Sequence, residues 1–446
     1  MVGRLFRLRG SIGALGYAVL APALVFSQHL VVAVLFGLLD TSLKADTLFW
    51  LLPLRRLLEL QAMSPWASAA IFVFSLVVAW LLAILSYRRA GKSALGFALA
   101  ALTIVPGVQL AAVAGLIVLP PRANAAPPPP AGVNVAHALQ GVLAGMAIIV
   151  LAVLLSALTF GSYGWGLFVA TPFMVGLTTA YLANRDAALP EGKTVPLVLL
   201  AAGLGVLALL MFALEGFMCI LLVIPLGAGV ALVGGAAGRK LADIGHQRGR
   251  PLLGVAILPL VFAIEAVMPP AVLITTHESI EIAAPPAAVW RELVSDAPIA
   301  GRPQLVALAG FAYPIRGRLL GTGVGATRLG EFSTGTAHER VTVWEPAHRL
   351  AFVVVDQPAM MEEMSPYRRV HAPHLQGYFQ TAATSFDLQR LPSGGTRLVA
   401  RASHRLRLDP ALYWEPLARW AIHLNVTRVL ESIRDAAEKP VRACSG

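Results

Sequence analysis

Eight apolar stretches fill most of the first 274 residues of this chain, at 12–38, 66–87, 94–119, 135–160, 164–184, 195–214, 217–237 and 252–273. A helix needs about 20 such residues to cross the roughly 30 Å of hydrocarbon in a bilayer. Lipid offers a backbone no hydrogen-bonding partner, so segments that span it must be helical. Charge follows the same division: residues 1–274 carry 16 Lys+Arg and 8 Asp+Glu, whereas 275–446 carry 19 and 16. A charged fraction of 13% therefore averages over two solvents and excludes an ordinary soluble protein. The expected fold class is an all-α membrane part of seven or eight transmembrane helices, followed by a water-soluble domain.

Pro120-Pro121 and the run Pro127–Pro130 form a stiff, uncharged spacer that neither neighbouring helix can continue through. The chain thus divides into a first membrane unit at 1–120, a Pro-rich linker at 121–134, a second membrane unit at 135–273 and a soluble domain at 275–440. No cleavable signal peptide is expected, because the first apolar run is too long for one. Of the net charge of +11, +8 belongs to the membrane part, which points to loop topology rather than to nucleic acid. Eight full crossings from a cytoplasmic N-terminus would put 6 basic residues inside and 10 outside, against the positive-inside tendency. If 94–119 is instead a re-entrant hairpin turning at Pro106-Gly107, the count becomes 13 inside and 3 outside, with the soluble domain outside the cytoplasm. A simple proline-kinked span is the alternative. Arg outnumbers Lys 30 to 5, as in a GC-rich bacterial genome, so the expected location is a bacterial inner membrane.

Arg4, Arg7 and Arg9, the turn Tyr87-Arg88-Arg89-Ala90-Gly91-Lys92-Ser93 and the break Ile104-Val105-Pro106-Gly107 give residues 1–120 a resemblance to the bacterial inner-membrane family of unknown function 805. The Leu-His-Asp portion of that family's turn is missing, and the resemblance implies no activity. Within the membrane part, Glu215 at a junction of spans and Glu265 inside the last one are candidate functional carboxylates. Each can also reach headgroup water from a span end. Gly205, Gly216, Gly227, Gly229, Gly234, Gly235 and Gly238 suggest close helix packing.

From Thr275 the hydrophobic period becomes two. A strand over 277–282 is followed by a short helix with Pro285-Pro286 at its start, and further strands are predicted at 316–322, 325–332, 336–344, 348–355, 378–391 and 395–408. Pro392-Ser393-Gly394-Gly395 reads as a hairpin turn, and Asp409-Pro410 opens a closing helix over 410–437. This order gives an α+β helix-grip, a curved antiparallel sheet wrapped around one long helix. The segment Ile280-Glu-Ile-Ala-Ala-Pro-Pro-Ala-Ala-Val-Trp290, with Gly323–Arg328, Gly330–Gly335, Val343–Pro346, Gly377–Phe379 and Tyr413-Trp414, resembles the SRPBCC superfamily over 276–438. That superfamily includes START lipid-transfer and polyketide cyclase/dehydrase-like proteins, and the likeness is to its membrane-anchored bacterial members. The resemblance implies a hydrophobic-ligand-binding domain.

Strict alternation puts Ala400, Ala402 and His404 on the inner face of strand 395–408, with Tyr378, Ala382, Thr384 and Phe386 opposite. Small residues at mid-strand leave either a pocket, to which Trp420 also contributes, or a site where the closing helix packs tightly. His404 is either a polar contact for a guest, and a weak candidate general base, or a hydrogen-bonded core histidine. His371 and His374 lack acidic or cysteine neighbours, so no metal and no cofactor are expected. The two cysteines, Cys219 and Cys444, make neither a disulfide framework nor a metal cluster. Arg328 with Glu331 reads as a rim or surface ion pair. Arg397, Arg401, Arg405 and Arg407 form an outer stripe that either is solvated or rests on anionic lipid. Trp290, Trp344, Trp414 and Trp420 are expected to anchor the core, and nothing suggests nucleic acid. The expected partners are the bilayer and a hydrophobic small molecule or lipid, with a cyclase/dehydratase-like enzyme or a non-catalytic signalling protein as alternatives.

Overall fold

The computed structural model describes residues 11–38, 42–54, 56, 65–90, 94–105, 107–119, 135–161, 163–185, 188–190, 192–211, 214–244, 258–301, 303–362 and 377–439. The Pro-rich spacer, Arg4, Arg7, Arg9, His371, His374 and Cys444 lie outside them. In order, the helices of the first part are α1 (Ala14–Leu38), α2 (Thr47–Leu51), α3 (Pro65–Arg89), α4 (Ala94–Leu102), α5 (Gln109–Val118), α6 (Val135–Val153), α7 (Thr171–Asn184), α8 (Thr194–Met211), α9 (Phe217–Ile244) and α10 (Leu258–Val267). Residues Leu154–Phe160 and Gly166–Ala170 are π-helical. Among the described residues, five helical segments are long and apolar enough to cross a membrane: Ala14–Leu38, His137–Ser156, Gly166–Asn184, Thr194–Met211 and Phe217–Ile244. Contacts divide the chain into two units, with the boundary of the larger pieces at Val261/Phe262.

The 94–119 stretch is not one span. It breaks after Leu102, and Gly107 adopts a positive φ of 83° open to a residue without a Cβ. α4 and α5, 9 and 10 residues long, each reach only about 14–15 Å. They fold back on one another, with the Leu99 side chain against Gly115. Arg89, just before α4, reaches the far end of α5 and donates to the carbonyls of Leu116 (2.9 Å), Ile117 (3.2 Å) and Leu119 (2.7 Å). Both ends of the segment therefore lie together, as a helical hairpin requires. Elsewhere in the first unit, Tyr17 bonds Ser86 at 2.8 Å and Gln28 donates to Gln109 at 3.3 Å.

Glycine lets α7 and α9 touch backbone to backbone. A Cβ on Gly176 would overlap the Ala231 carbonyl, and Cβ atoms on Gly234 and Gly238 would overlap the Phe173 and Leu177 carbonyls. Gly229, by contrast, faces open space.

The second unit contains seven antiparallel strands: β1 (Val272–Ile282), β2 (Pro314–Leu320), β3 (Thr327–Phe332), β4 (Gly335–Glu345), β5 (Arg349–Asp356), β6 (Phe379–Arg390) and β7 (Thr396–Leu406). Their order is β1-β7-β6-β5-β4-β3-β2. Two short helices, α11 (Pro286–Leu293) and α12 (Gln304–Leu308), separate β1 from β2, and α13 (Ala411–Ala437) closes the chain. β1 starts at Val272, so Val272 and Leu273 belong to the sheet rather than to a final span. The described part of that span, α10, ends at Val267 just before Pro269-Pro270. Pro410, expected as the first helical residue with Asp409 as its cap, is itself the N-cap of α13 and has no side-chain cap; Asp409 before it accepts from the Ala411 N–H at 3.1 Å. Leu430, with Val426, Ile433 and Ala437, packs α13 onto Leu398, Ala400, Phe386, Leu388 and Leu350 of the sheet. Trp290 and Trp344 meet edge to face at 5.3 Å in that core.

Candidate functional site on the concave face of the sheet

Strand register arranges the inward side chains in transverse rows. One row runs Leu398 (β7) to Leu388 (β6), and the next Ala400, Phe386 and Leu350. A third runs Thr276, Ala402, Thr384, Phe352 and Val341 across β1, β7, β6, β5 and β4. The fourth contains Ile274 and His404, paired with Thr381, at one end, and Glu339 and Arg328 at the other. The face thus passes from a packed apolar floor to a polar belt within a few residues of strand.

A register shift between Thr381 and Ala383 decides which residues join this belt. Strict alternation places Ala382 and Tyr378 inside. The bulge inserts one residue, so Thr381 faces His404, Ala382 is exposed, and Phe379, opposite Leu406, takes the place expected for Tyr378. Gln357, just past the end of β5, completes the interrupted ladder: its Nε2 donates to the Phe379 carbonyl (2.7 Å) and its Oε1 accepts from the Thr381 N–H (2.8 Å). Trp420 also departs from expectation. On a 3.6-residue period it falls opposite the face carrying Trp414, Ala421 and Ile422, and it is 41% exposed. Phe386, Ala400 and Ala402 are buried and inward, and Thr384 is inward but only partly buried.

His404 is 6% exposed. Its Nδ1 lies 3.1 Å from the Thr381 hydroxyl and its Nε2 3.4 Å from that of Thr276, while the ring stacks on Phe379 at 5.2 Å. Thr276 Oγ1 gives its own proton to the Ala402 carbonyl, so it can only accept from Nε2–H. Nδ1 then accepts from Thr381, and the neutral imidazole is satisfied on both sides. Burial, reinforced by the Arg419 charge, pushes its pKa down to about 4. Its lone pair is committed to Thr381, and so weak a base is poorly matched to proton abstraction at neutral pH.

At the other end of the belt, Arg328 pairs with Glu339, not with Glu331. Glu331 faces the other side of the sheet, where it meets Arg316 at 2.6 Å and Arg318 at 3.6 Å. Arg328 and Glu331 lie three residues apart on β3 and so face opposite sides, whereas Arg328 and Glu339 are direct cross-strand partners. Glu339 is 6% exposed, and burial raises its pKa despite the neighbouring guanidinium. The Arg328 guanidinium carbon sits 4.5 Å from the Phe352 ring centre. The outer arginine stripe is partly neutralised, because Arg397 pairs with Glu281 (2.6 Å) and Arg401 with Asp387. On α13, His423 bonds Glu278 at 2.8 Å, Asn425 donates to the Ala312 carbonyl, and Arg428 clamps the carbonyls of Ala300, Gly301 and Pro314.

Of the two membrane-part carboxylates, Glu215 is 7% exposed in the turn between α8 and α9, and Glu265 is half-buried on α10. Sequence reasoning missed Thr276, Thr381, Glu339 and Gln357. Glu339 was findable, because it shares the parity of Ala337 and Val341 on β4; Thr381 was not, because a bulge leaves no mark in the hydrophobic pattern.

No family model matches the chain, and no curated protein matches it. The likeness of residues 1–120 to family 805 therefore gains no support. Among solved structures, an aromatase/cyclase from Streptomyces sp. R1128 aligns at 18% identity, covering 39% of this chain and 99% of its own, with a TM-score of 0.25. Norcoclaurine synthase from Thalictrum flavum aligns at 12% identity, with 38% and 96% covered and a TM-score of 0.25. A protein from Mesorhizobium loti aligns at 16% identity, with 36% and 96% covered and a TM-score of 0.23.

Proposed function

We propose that this is a multi-pass bacterial inner-membrane protein whose helix-grip domain binds a hydrophobic molecule, a lipid or a polyketide- or isoprenoid-like compound, at the membrane surface. The long apolar helices support membrane residence, and the positive-inside count with 94–119 folded as a hairpin favours an extracytoplasmic domain. One observation carries the binding reading. Phe379, Thr381 and Thr384 point to the concave side of the sheet yet keep partial solvent exposure, whereas Leu398, Leu350 and Ala400 on the same face are sealed. The protein's own side chains fill the floor, and in the upper rows Phe379, Thr381 and Thr384 keep access to solvent among buried neighbours, a mainly apolar surface with a few polar groups of the kind that binding sites use.

The test uses the full-length protein in nanodiscs and a fluorescent apolar probe, pyrene, read by energy transfer from tryptophan against empty nanodiscs. Saturable binding by the wild type is expected, with affinity at least tenfold lower in Thr384→Trp, which fills the third row. Absence of saturable binding in the wild type would overturn the reading.

A further inference from the structure

We infer that Arg328 is the recognition group for an uncharged acceptor oxygen, a ketone, ester or quinone carbonyl, on an otherwise apolar guest lying against the concave face. This rests on the binding reading above and specifies the chemistry at its polar end.

The concave face offers few polar groups, and most are already engaged. His404 is matched to Thr276 and Thr381, and Asn425 and Arg428 donate to backbone carbonyls of neighbouring loops. Arg328 differs. Among the described residues its only hydrogen-bonding partner is Glu339, reached through Nη1, so Nε and Nη2 donate to no protein group. Its side chain is 20% exposed, against 6% for Glu339 beneath it, so part of the Arg328 side chain remains reachable while the carboxylate that fixes it is sealed.

Three features make this a constructed arrangement rather than a stray surface arginine. Gly317 on β2 has no Cβ where the Arg328 Nε and Nη2 atoms lie, and any side chain there would displace the guanidinium. Gly330 on β3 likewise leaves room for the Glu339 carboxylate, 3.1 Å from where a Cβ would stand. Phe352, itself 3% exposed, supports the guanidinium face. The planar fork is thus fixed by an ion pair, a ring and two missing side chains.

Charge selects the ligand class. Glu339 offsets the Arg328 charge, so a carboxylate or phosphate on the guest would meet the Glu339 field at close range. A neutral carbonyl or ester oxygen takes the free N–H groups without that repulsion and gains a charge-assisted hydrogen bond. The apolar body of the guest would then lie over Thr384 toward Thr381 and Phe379, the concave-face residues that keep partial exposure.

Two nearly isosteric probes test this in nanodiscs, again by energy transfer from tryptophan: 1-acetylpyrene, which has the carbonyl, and 1-ethylpyrene, which does not. The wild type should prefer the acetyl compound about tenfold or more, as expected for a hydrogen bond from a charged donor. Removing Arg328 alone would strand a buried carboxylate, so the variant is the double change Arg328→Met/Glu339→Leu. It should bind both probes with equal affinity and keep the wild-type affinity for 1-ethylpyrene within about twofold. Equal affinities in the wild type, or a preference that survives the double change, would overturn the assignment while leaving apolar binding intact. If neither probe binds the wild type, both this inference and the binding reading fall.

Discussion

His404 shows how one buried group ties the helix-grip domain to pH. In the folded domain it stays neutral down to about pH 4, whereas in an unfolded chain it protonates near 6.5. Between these values the unfolded state binds the extra proton, so stability contributed by the neutral imidazole is complete above pH 6.5 and falls progressively as pH drops toward 4. The full shift corresponds to about 3 kcal/mol at most. Hydrogen exchange of β6 and β7 peptides in the full-length protein, corrected for intrinsic rates, should therefore show lower protection at pH 5 than at pH 7.5. In His404→Gln the difference should shrink. An unchanged pH difference in that variant would show that other groups cause it. The residue scale is also where sequence reading stops. Alternation correctly put His404, Ala402, Ala400 and Phe386 on one face, because period two is enforced along an uninterrupted strand. It misplaced Ala382 and Tyr378 because a single inserted residue reverses parity, and nothing in Thr381-Ala382-Ala383 announces the insertion.

At the scale of elements, six of the seven strands were legible to within two residues, since each alternates and is bounded by glycine, proline or charged turns, whereas β1 starts at Val272, five residues before the expected 277 and inside the stretch read as the last span. The long closing helix was equally plain, but its inward face was not read correctly at Trp420, where size suggested burial and the 3.6-residue period decides otherwise. The 94–119 segment is the instructive case in the first unit. Its hydropathy suits one span, and only the glycine break and the basic-residue count argued for a hairpin; the Arg89 clamp on the end of α5 has no sequence signature at all. A hairpin brings positions 99 and 115 together, whereas a continuous helix would separate them by about 24 Å. In a background with Cys219→Ser and Cys444→Ser, the pair Leu99→Cys/Gly115→Cys should oxidise efficiently to an intramolecular disulfide. Adding Arg89→Ala should reduce the yield, because three carbonyls at the end of α5 lose their donor and α5 is released from the start of the hairpin. No cross-link in the parent pair would restore the kinked-span topology.

For the whole molecule, the hairpin changes the arithmetic of sides. A segment whose two ends lie together contributes no crossing, so every later loop and the helix-grip domain exchange sides relative to an eight-span count. The positive-inside tendency favours the hairpin count. With the hairpin, Arg122, Arg185, Lys193, Arg239, Lys240, Arg248 and Arg250 join the N-terminal arginines on one side, and only Lys44, Arg55 and Arg56 remain opposite. Two of these groups also have structural employment. Arg239 donates to Thr194 (3.1 Å) and to the Leu189 carbonyl (2.9 Å), and Arg56 pairs with Asp46. Neither role reverses the asymmetry. Ser393 lies exposed in the turn between β6 and β7, so a cysteine there reports the side of the domain without disturbing its core. In the same cysteine-depleted background, Ser393→Cys should react with a membrane-impermeant maleimide in intact spheroplasts as fast as after lysis. Labelling that requires lysis would place the domain in the cytoplasm, and an apolar guest would then have to enter from the inner leaflet.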